Sequence, residues 1–240
     1  ALTTLVFITL AMKGGSYVYY FKNYVDKARL TEFITPILNG LSSIGVNFFG
    51  EDPVSAGFGL FNAGGIVFMI VGITLSKRFA DKYGKRDVFG IALFISTLFI
   101  LLFYFFSSTS VELMFASQIL HGFFYGITIP LLWAMIADVA DYSEWKNNRR
   151  ATAIIFSAMM VGLKGGLSIG SALLTWILGI FHYVPNSDSV QPATAIQGTK
   201  MLVSIFPSIP FLIGAGLLFF YEINKKMEVK IEGDLKQRRA

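Results

Sequence analysis

The 240-residue chain is 54% hydrophobic and only 15% charged, whereas a soluble domain runs nearer a quarter charged, so its charges are too few to cover a globule in water. A mean hydropathy of +0.62, 24 Phe and 23 Gly are the composition of an integral membrane protein built of helices. The absence of cysteine excludes disulfides, thiol catalysis and cysteine metal sites, two histidines are too few for a histidine-rich metal cluster, and the net charge of +5 needs no nucleic acid once the basic residues are located.

A bilayer core takes about 20 mainly apolar residues per helix. Charge-poor stretches predict six spans: Leu2–Tyr24, Ala56–Ser76, Val88–Phe106, Leu113–Ala137, Ala151–Ile180 and Thr199–Tyr221. Segments such as Ile91–Phe106 lack the period-2 alternation of a barrel strand. Leu30–Phe49 is apolar too, but it holds Pro36, Asn39, Gly40, Gly45 and Asn47, and it reads as an external interfacial or re-entrant helix. Residues 222–240 read as a charged tail. The chain opens inside a span with no basic stretch before it, as expected of a fragment rather than a signal peptide.

Basic residues set the orientation. Lys77, Arg78, Lys82, Lys85 and Arg86 lie between spans two and three, and Lys146, Arg149 and Arg150 between four and five. Lys225, Lys226, Lys230, Lys236, Arg238 and Arg239 lie in the tail. These alternate sides are expected to be cytoplasmic, with both chain ends inside an inner (plasma) membrane.

At 100° per residue, Ser157, Lys164, Ser168, Ser171 and Thr175 of span five share a stripe about 60° wide, while Gly162, Gly166 and Gly170 fall on the opposite face. Small residues at every fourth position let another backbone approach closely. Span one has a comparable stripe of Thr9, Lys13, Ser16, Tyr17, Tyr20 and Tyr24. Span four carries Gln118, His121, Tyr125, Thr128 and Trp133, with Gly122, Gly126 and Pro130 making it bendable. Spans three and six read as plain, lipid-facing helices. The order suggests two three-helix repeats, a transporter construction. The stripes on spans one, four and five are expected to need a facing half to bury them.

Lys13 and Lys164 are the sharpest signals, because a charge at bilayer depth costs about 2.5–3.5 kcal/mol on insertion scales. Lys164 lies roughly 20 Å into its helix, too deep to reach out of the membrane. The alternative is a structural lysine bonded to carbonyls or a carboxylate, yet no carboxylate of this chain lies at their depth. Asp138 and Asp141, at i and i+3 at a helix end, are placed either as solvated charges or as a salt-bridge gate. His121 reads as a bonded interior histidine or a proton carrier, and Trp133 and Tyr125 as core aromatics or as faces for a sugar ring. Gly166-Leu167-Ser168-Ile169-Gly170 fits the serine-hydrolase pattern G-x-S-x-G, but that motif needs a strand–turn–helix elbow. An enzyme is not expected.

Asp81-Lys82-Tyr83-Gly84-Lys85-Arg86 resembles the core of the major facilitator loop signature. The run from Trp133 to Lys146, with Arg149-Arg150-Ala151-Thr152, resembles the glycoside–pentoside–hexuronide:cation symporters, the family of melibiose permease. Lys13-Gly14-Gly15 with Tyr19-Tyr20-Phe21, and Lys164-Gly165-Gly166, resemble that family's seventh and eleventh helices. The resemblance implies an all-α integral membrane fold, the C-terminal six helices of a twelve-helix transporter. It implies that Lys164 serves coupled transport and that Lys82, Asp138, Asp141 and Arg150 belong to a cytoplasmic charged network, with Arg149 beside them. The expected function is cation-coupled sugar symport by alternating access, with a lipid-like or organic-anion substrate as the alternative. The expected substrate-site residues are Lys13, Tyr17, Tyr20, Gln118, His121, Tyr125, Trp133, Lys164 and Ser168. No cofactor is expected beyond a coupling cation, Na⁺ or H⁺, held mainly by an N-terminal six-helix half. The expected partners are that half, the sugar, the cation and the bilayer.

Overall fold

In the computed structural model the protein is described for residues 1–46, 52–149, 151–185 and 190–239. The helices are α1 (Leu2–Asn23), α2 (Lys27–Ser43), α3 (Pro53–Tyr83), α4 (Lys85–Leu102), α5 (Val111–Asn147), α6 (Thr152–Ile180), α7 (Ala193–Val203), α8 (Ile205–Leu217) and α9 (Lys225–Arg239), with a 3₁₀ turn at Leu218–Phe220. Windows of mean hydropathy 1.6 to 2.1 mark α3, α5, α6 and the α7–α8 segment as long and apolar enough to cross a membrane. Among the described residues there is no strand.

Two glycine-lined seams hold the bundle together. A Cβ at Gly72, Gly122 or Gly126 would collide with the carbonyl oxygens of Phe123, Gly65 and Met69, so α3 and α5 meet backbone to backbone. The second seam joins α6 to α1, where a Cβ at Gly166 or Gly170 would stand 2.5 Å from the carbonyl oxygens of Thr4 and Ile8. Gly84 turns the chain between α3 and α4 at φ 94°, a region that disfavours side chains. Asp26 caps α2 by accepting from the Arg29 N–H, and Leu30 and Ile34 bury that helix against α3 and Phe115. The helix expected at Leu30–Phe49 is therefore Lys27–Ser43 in its described part, and Asn47–Phe49 lie outside the described residues.

Three expectations change. The sixth predicted span, Thr199–Tyr221, is broken at Ser204 (φ −126°, ψ −78°), which divides it into α7 and α8. Pro207 has no N–H to give Val203, four residues back, so the helix cannot run on unbroken. The third span, expected to Phe106, leaves the helix after Leu102, and it is not plain all round, since Ser96 and Thr97 are fully buried on its inner side.

The tail is the third. Lys225–Arg239 form a helix that docks on the far end of α5. Ile223, Met227, Ile231 and Leu235 recur every four residues, and the stripe packs on Val139, Tyr142 and Trp145. Asn224 Oδ1 caps α9 by accepting from the Met227 N–H at 3.0 Å. Lys225 Nζ donates to the carbonyls of Asp81 and Lys82 at the C-terminus of α3. Arg238 donates to Trp145 O and Asn148 Oδ1 at the C-terminus of α5. Two helix ends that carry partial negative charge thus each gain a cation.

Candidate substrate and gate sites

α1, α4 and α5 enclose a polar group in the interior. Lys13 Nζ donates to Gln118 Oε1 at 3.1 Å, and Tyr17 Oη donates to the same oxygen at 3.1 Å. The ammonium also lies 5.1 Å from the Tyr17 ring centre, a cation–π contact. Lys13 is only 6% exposed, and its described acceptor is a neutral amide, so no carboxylate among the described residues pairs with its positive charge. Gly65 of α3 makes room for the arrangement, because a Cβ there would stand 2.8 Å from Gln118 Nε2. His121, one turn along α5, places Nδ1 at 2.8 Å from Ser96 Oγ and 3.1 Å from Ser96 O. Its ring stacks on Tyr125, which stacks in turn on Phe211. Tyr20 is fully buried among Phe21, Tyr24 and Phe103, and its hydroxyl has no hydrogen-bond partner among the described residues.

The remainder of the α1 stripe serves the broken helix. Thr9 Oγ1 donates to Pro207 O at 2.8 Å, and Ser16 Oγ to Leu202 O at 3.1 Å. Leu202 lies in the last turn of α7, where carbonyls lack intrahelical donors, and the Ser16 hydroxyl supplies one, while Thr9 adds a second donor to a carbonyl in the first turn of α8. The expectation that the stripes of spans one and four await a facing half is therefore corrected. From Thr9 to Tyr20 on α1, and from Gln118 to Thr128 on α5, those polar residues are buried against each other and against α3, α4, α7 and α8 of the same chain.

α6 is the opposite case. Ser157, Lys164, Ser168, Ser171 and Thr175 are all exposed along one face, while Gly166 and Gly170 are buried against α1. The predicted site residues thus divide into an interior group, with Lys13, Tyr17, Gln118, His121 and Tyr125, and an outward α6 face with Lys164 and Ser168. Trp133, at the edge of its stripe and past Pro130, belongs to neither and is 41% exposed. Ser168 sits within a continuous helix rather than on a strand-to-helix turn, which removes the hydrolase reading.

A charged group joins α4, α5 and α9 at the basic end. Lys85 Nζ lies 2.7 Å from Asp138 Oδ1, 2.9 Å from Asp138 Oδ2 and 2.8 Å from Glu228 Oε1. Both groups lie beyond the predicted spans, three residues before Val88 and one after Ala137. Burial alone would lower the Lys85 pKa, but its hydrogen bonds and charges with Asp138 and Glu228 outweigh that and hold it above the ordinary lysine value. Asp138 moves up as well, because burial, together with the charges of Glu228 and Asp141, outweighs the hydrogen bond and charge of Lys85. One ammonium is thus shared by two carboxylates in a pocket of about 260 Å³ that Asp141, Ile231 and Glu232 also line.

Of the expected gate residues, Asp138 and Asp141 are here, whereas Lys82 is elsewhere, with Nζ 5.0 Å from the Tyr83 ring centre. Arg149 is exposed, just past the left-handed Asn148 that ends α5, and Arg150 lies outside the described residues. Sequence reasoning missed Lys85 and Glu228 as partners. Lys85 was visible in the same basic loop as Lys82, but choosing between them requires knowing how Gly84 turns the chain. Glu228 was hidden because residues 222–240 were read only as a charged tail, with no partner on the bundle.

The chain matches the family described as MFS/sugar transport protein over residues 39–225. It belongs to that family. It is 30% identical over 173 residues, 72% of its length, to a protein of Escherichia coli (strain K12) named as a glycoside/cation symporter, covering 37% of that protein. It is 28% identical over 200 residues, 83% of its length, to the isoprimeverose transporter of Lactiplantibacillus pentosus, covering 41% of that protein. A third relative, also from Escherichia coli (strain K12), is named for export of 2,3-dihydroxypropane-1-sulfonate and is 28% identical over 192 residues, 79% of this chain and 40% of that protein. The chain thus spans about two fifths of the length of these relatives. The glycoside and isoprimeverose names agree with the resemblance to the melibiose-permease-like symporters, and the family is one of transporters rather than enzymes.

Proposed function

We propose that the chain is the C-terminal six-helix half of a cation-coupled sugar symporter that works by alternating access, with Lys77–Arg86 and α9 on the cytoplasmic side. The observation that carries this reading is the α6 face. A membrane helix that exposes Lys164, Ser157, Ser168, Ser171 and Thr175 on one side needs a polar surface opposite, since lipid would leave those groups unsatisfied. An N-terminal six-helix half supplies that surface, with the sugar between the halves and the coupling cation held mainly by the absent half. Lys164 then lines the substrate path directly. Lys13 and Gln118 lie one layer behind it, where they set the charge of the half. The Lys85–Asp138–Glu228 group is the latch of the cytoplasmic side. Cation binding strengthens sugar binding, and the effect is reciprocal.

The second reading, an organic-anion substrate, is favoured by Lys13 and Lys164, which form no ion pair with a carboxylate among the described residues, and by the relative named for a sulfonate. Counterflow uptake by the full-length protein separates the two, using a sugar panel and a small sulfonate, each with Na⁺, Li⁺ or only H⁺ present. Uptake of a glycoside stimulated by one cation supports symport of sugar. Uptake confined to the sulfonate overturns it.

A further inference from the structure

A groove of about 710 Å³ runs between α4 and the α8–3₁₀ segment, away from the polar face of α6. Its walls are apolar, formed by Gly90, Ile91, Phe94, Leu212 and Phe219 among others. These side chains are open, Ile91 being 62% exposed and Phe219 90%. On α4 the open apolar positions continue through Leu98 to Leu102, sixteen residues from Arg86 and therefore about 24 Å along the helix. That is most of the depth of a bilayer core.

Only the end of the groove at the basic loop is charged. There Arg86 Nε donates to Asp87 Oδ1 at 2.9 Å, and Arg86 Nη1 donates to Tyr221 O at 3.1 Å. A guanidinium has five N–H donors and a carboxylate accepts through both oxygens, so each keeps bonding capacity after these contacts. The Tyr221 bond anchors the guanidinium at the mouth of the groove. The carboxylate beside it is 54% exposed.

We propose that this groove binds a phospholipid with a zwitterionic, amine-bearing head group, its phosphate on Arg86, its ammonium on Asp87 and one acyl chain along α4. The charges select this class. Arg86 alone would suit any phosphate, and planar guanidinium pairs well with phosphate oxygens. Asp87 turns away a head group with net negative charge and offers an acceptor to a primary ammonium. A quaternary ammonium has no N–H to give it. The arrangement requires only that the groove faces lipid, and it stands apart from the sugar and cation assignment.

The test uses the full-length protein, purified in detergent, delipidated and titrated with phosphatidylethanolamine, phosphatidylglycerol or phosphatidylcholine, with retained lipid counted by native mass spectrometry. Phosphatidylethanolamine is retained at about tenfold lower concentration than the other two, the factor one charge-assisted hydrogen bond supports. Asp87→Asn removes that preference, while Arg86→Gln weakens retention of all three lipids. Ile91→Trp, at an exposed position where folding is not at stake, narrows the groove with both charges intact and weakens retention of phosphatidylethanolamine. Preference for phosphatidylglycerol overturns the proposal, as does equal retention of all three lipids. A phosphatidylethanolamine preference unmoved by Asp87→Asn and Ile91→Trp also overturns it.

Discussion

Replacing Lys85 by Met should release α9, whereas the same change at Lys82 should not. Lys85 is the ammonium between Asp138 and Glu228, and the three side chains are 14% to 28% exposed, so the pairs are partly shielded from water without being fully buried. The Lys85–Glu228 pair ties α9 directly and is worth about 1 kcal/mol, the upper end for an accessible pair. Its loss also leaves two carboxylates facing each other across the α5–α9 contact, about another 1 kcal/mol. A total of about 2 kcal/mol raises the undocked fraction of α9 roughly 30-fold. The chain has no cysteine, so Ile231→Cys gives one thiol at a position only 3% exposed, and its maleimide labelling rate reports undocking. In that background Lys85→Met should speed labelling about 30-fold, and Lys82→Met should stay within about twofold. Asp138→Asn should fall between them, because Glu228 still holds the ammonium. Equal effects at Lys82 and Lys85, or a larger one at Lys82, would refute the assignment of Lys85 as the shared cation.

Lys164→Met in the full-length protein should insert and fold, since it removes an exposed charge from an apolar helix, but it should abolish accumulation of sugar against a gradient; wild-type accumulation would make Lys164 structural. Gly170→Val should cost about 3 kcal/mol or more in thermal unfolding, because its side chain would meet Ile8 O and Ala11 Cβ, while Gly165→Ala, with open space around it, should be neutral or slightly stabilising. A cysteine at Thr109 should label from outside intact cells with an impermeant reagent and one at Ser143 should not, and the reverse pattern would invert the topology.

Much of the helical framework was legible because its signals are local. Charge-poor length marked the membrane helices, four-residue glycine spacing marked the α6 face that meets α1, and the glycine of the basic loop marked the turn at residue 84. The break at Ser204 was harder to see. Hydropathy averages over Pro207 and Pro210, which sit in a stretch as apolar as any other. The tail helix was lost for the opposite reason, the four apolar residues of its stripe being diluted among ten charged ones between residues 222 and 239. The deepest ambiguity concerned the stripes. Polar residues on α1 that serve a broken helix in the same chain follow the same periodicity as those on α6 that face outward. Periodicity fixes which residues share a face, and only packing decides what that face meets.

Gly65 has a consequence for charge that its position on α3 conceals. The Gln118 amide has one oxygen, which accepts from both Lys13 and Tyr17, and its nitrogen occupies the space that the missing methyl group of Gly65 leaves. A single added carbon at residue 65 would displace that amide and move its oxygen away from the lysine. The described acceptor of the interior ammonium thus depends on a hydrogen atom, on a helix that contributes no polar side chain to the group. A hydrophobic-looking substitution in this protein could therefore act as an electrostatic one.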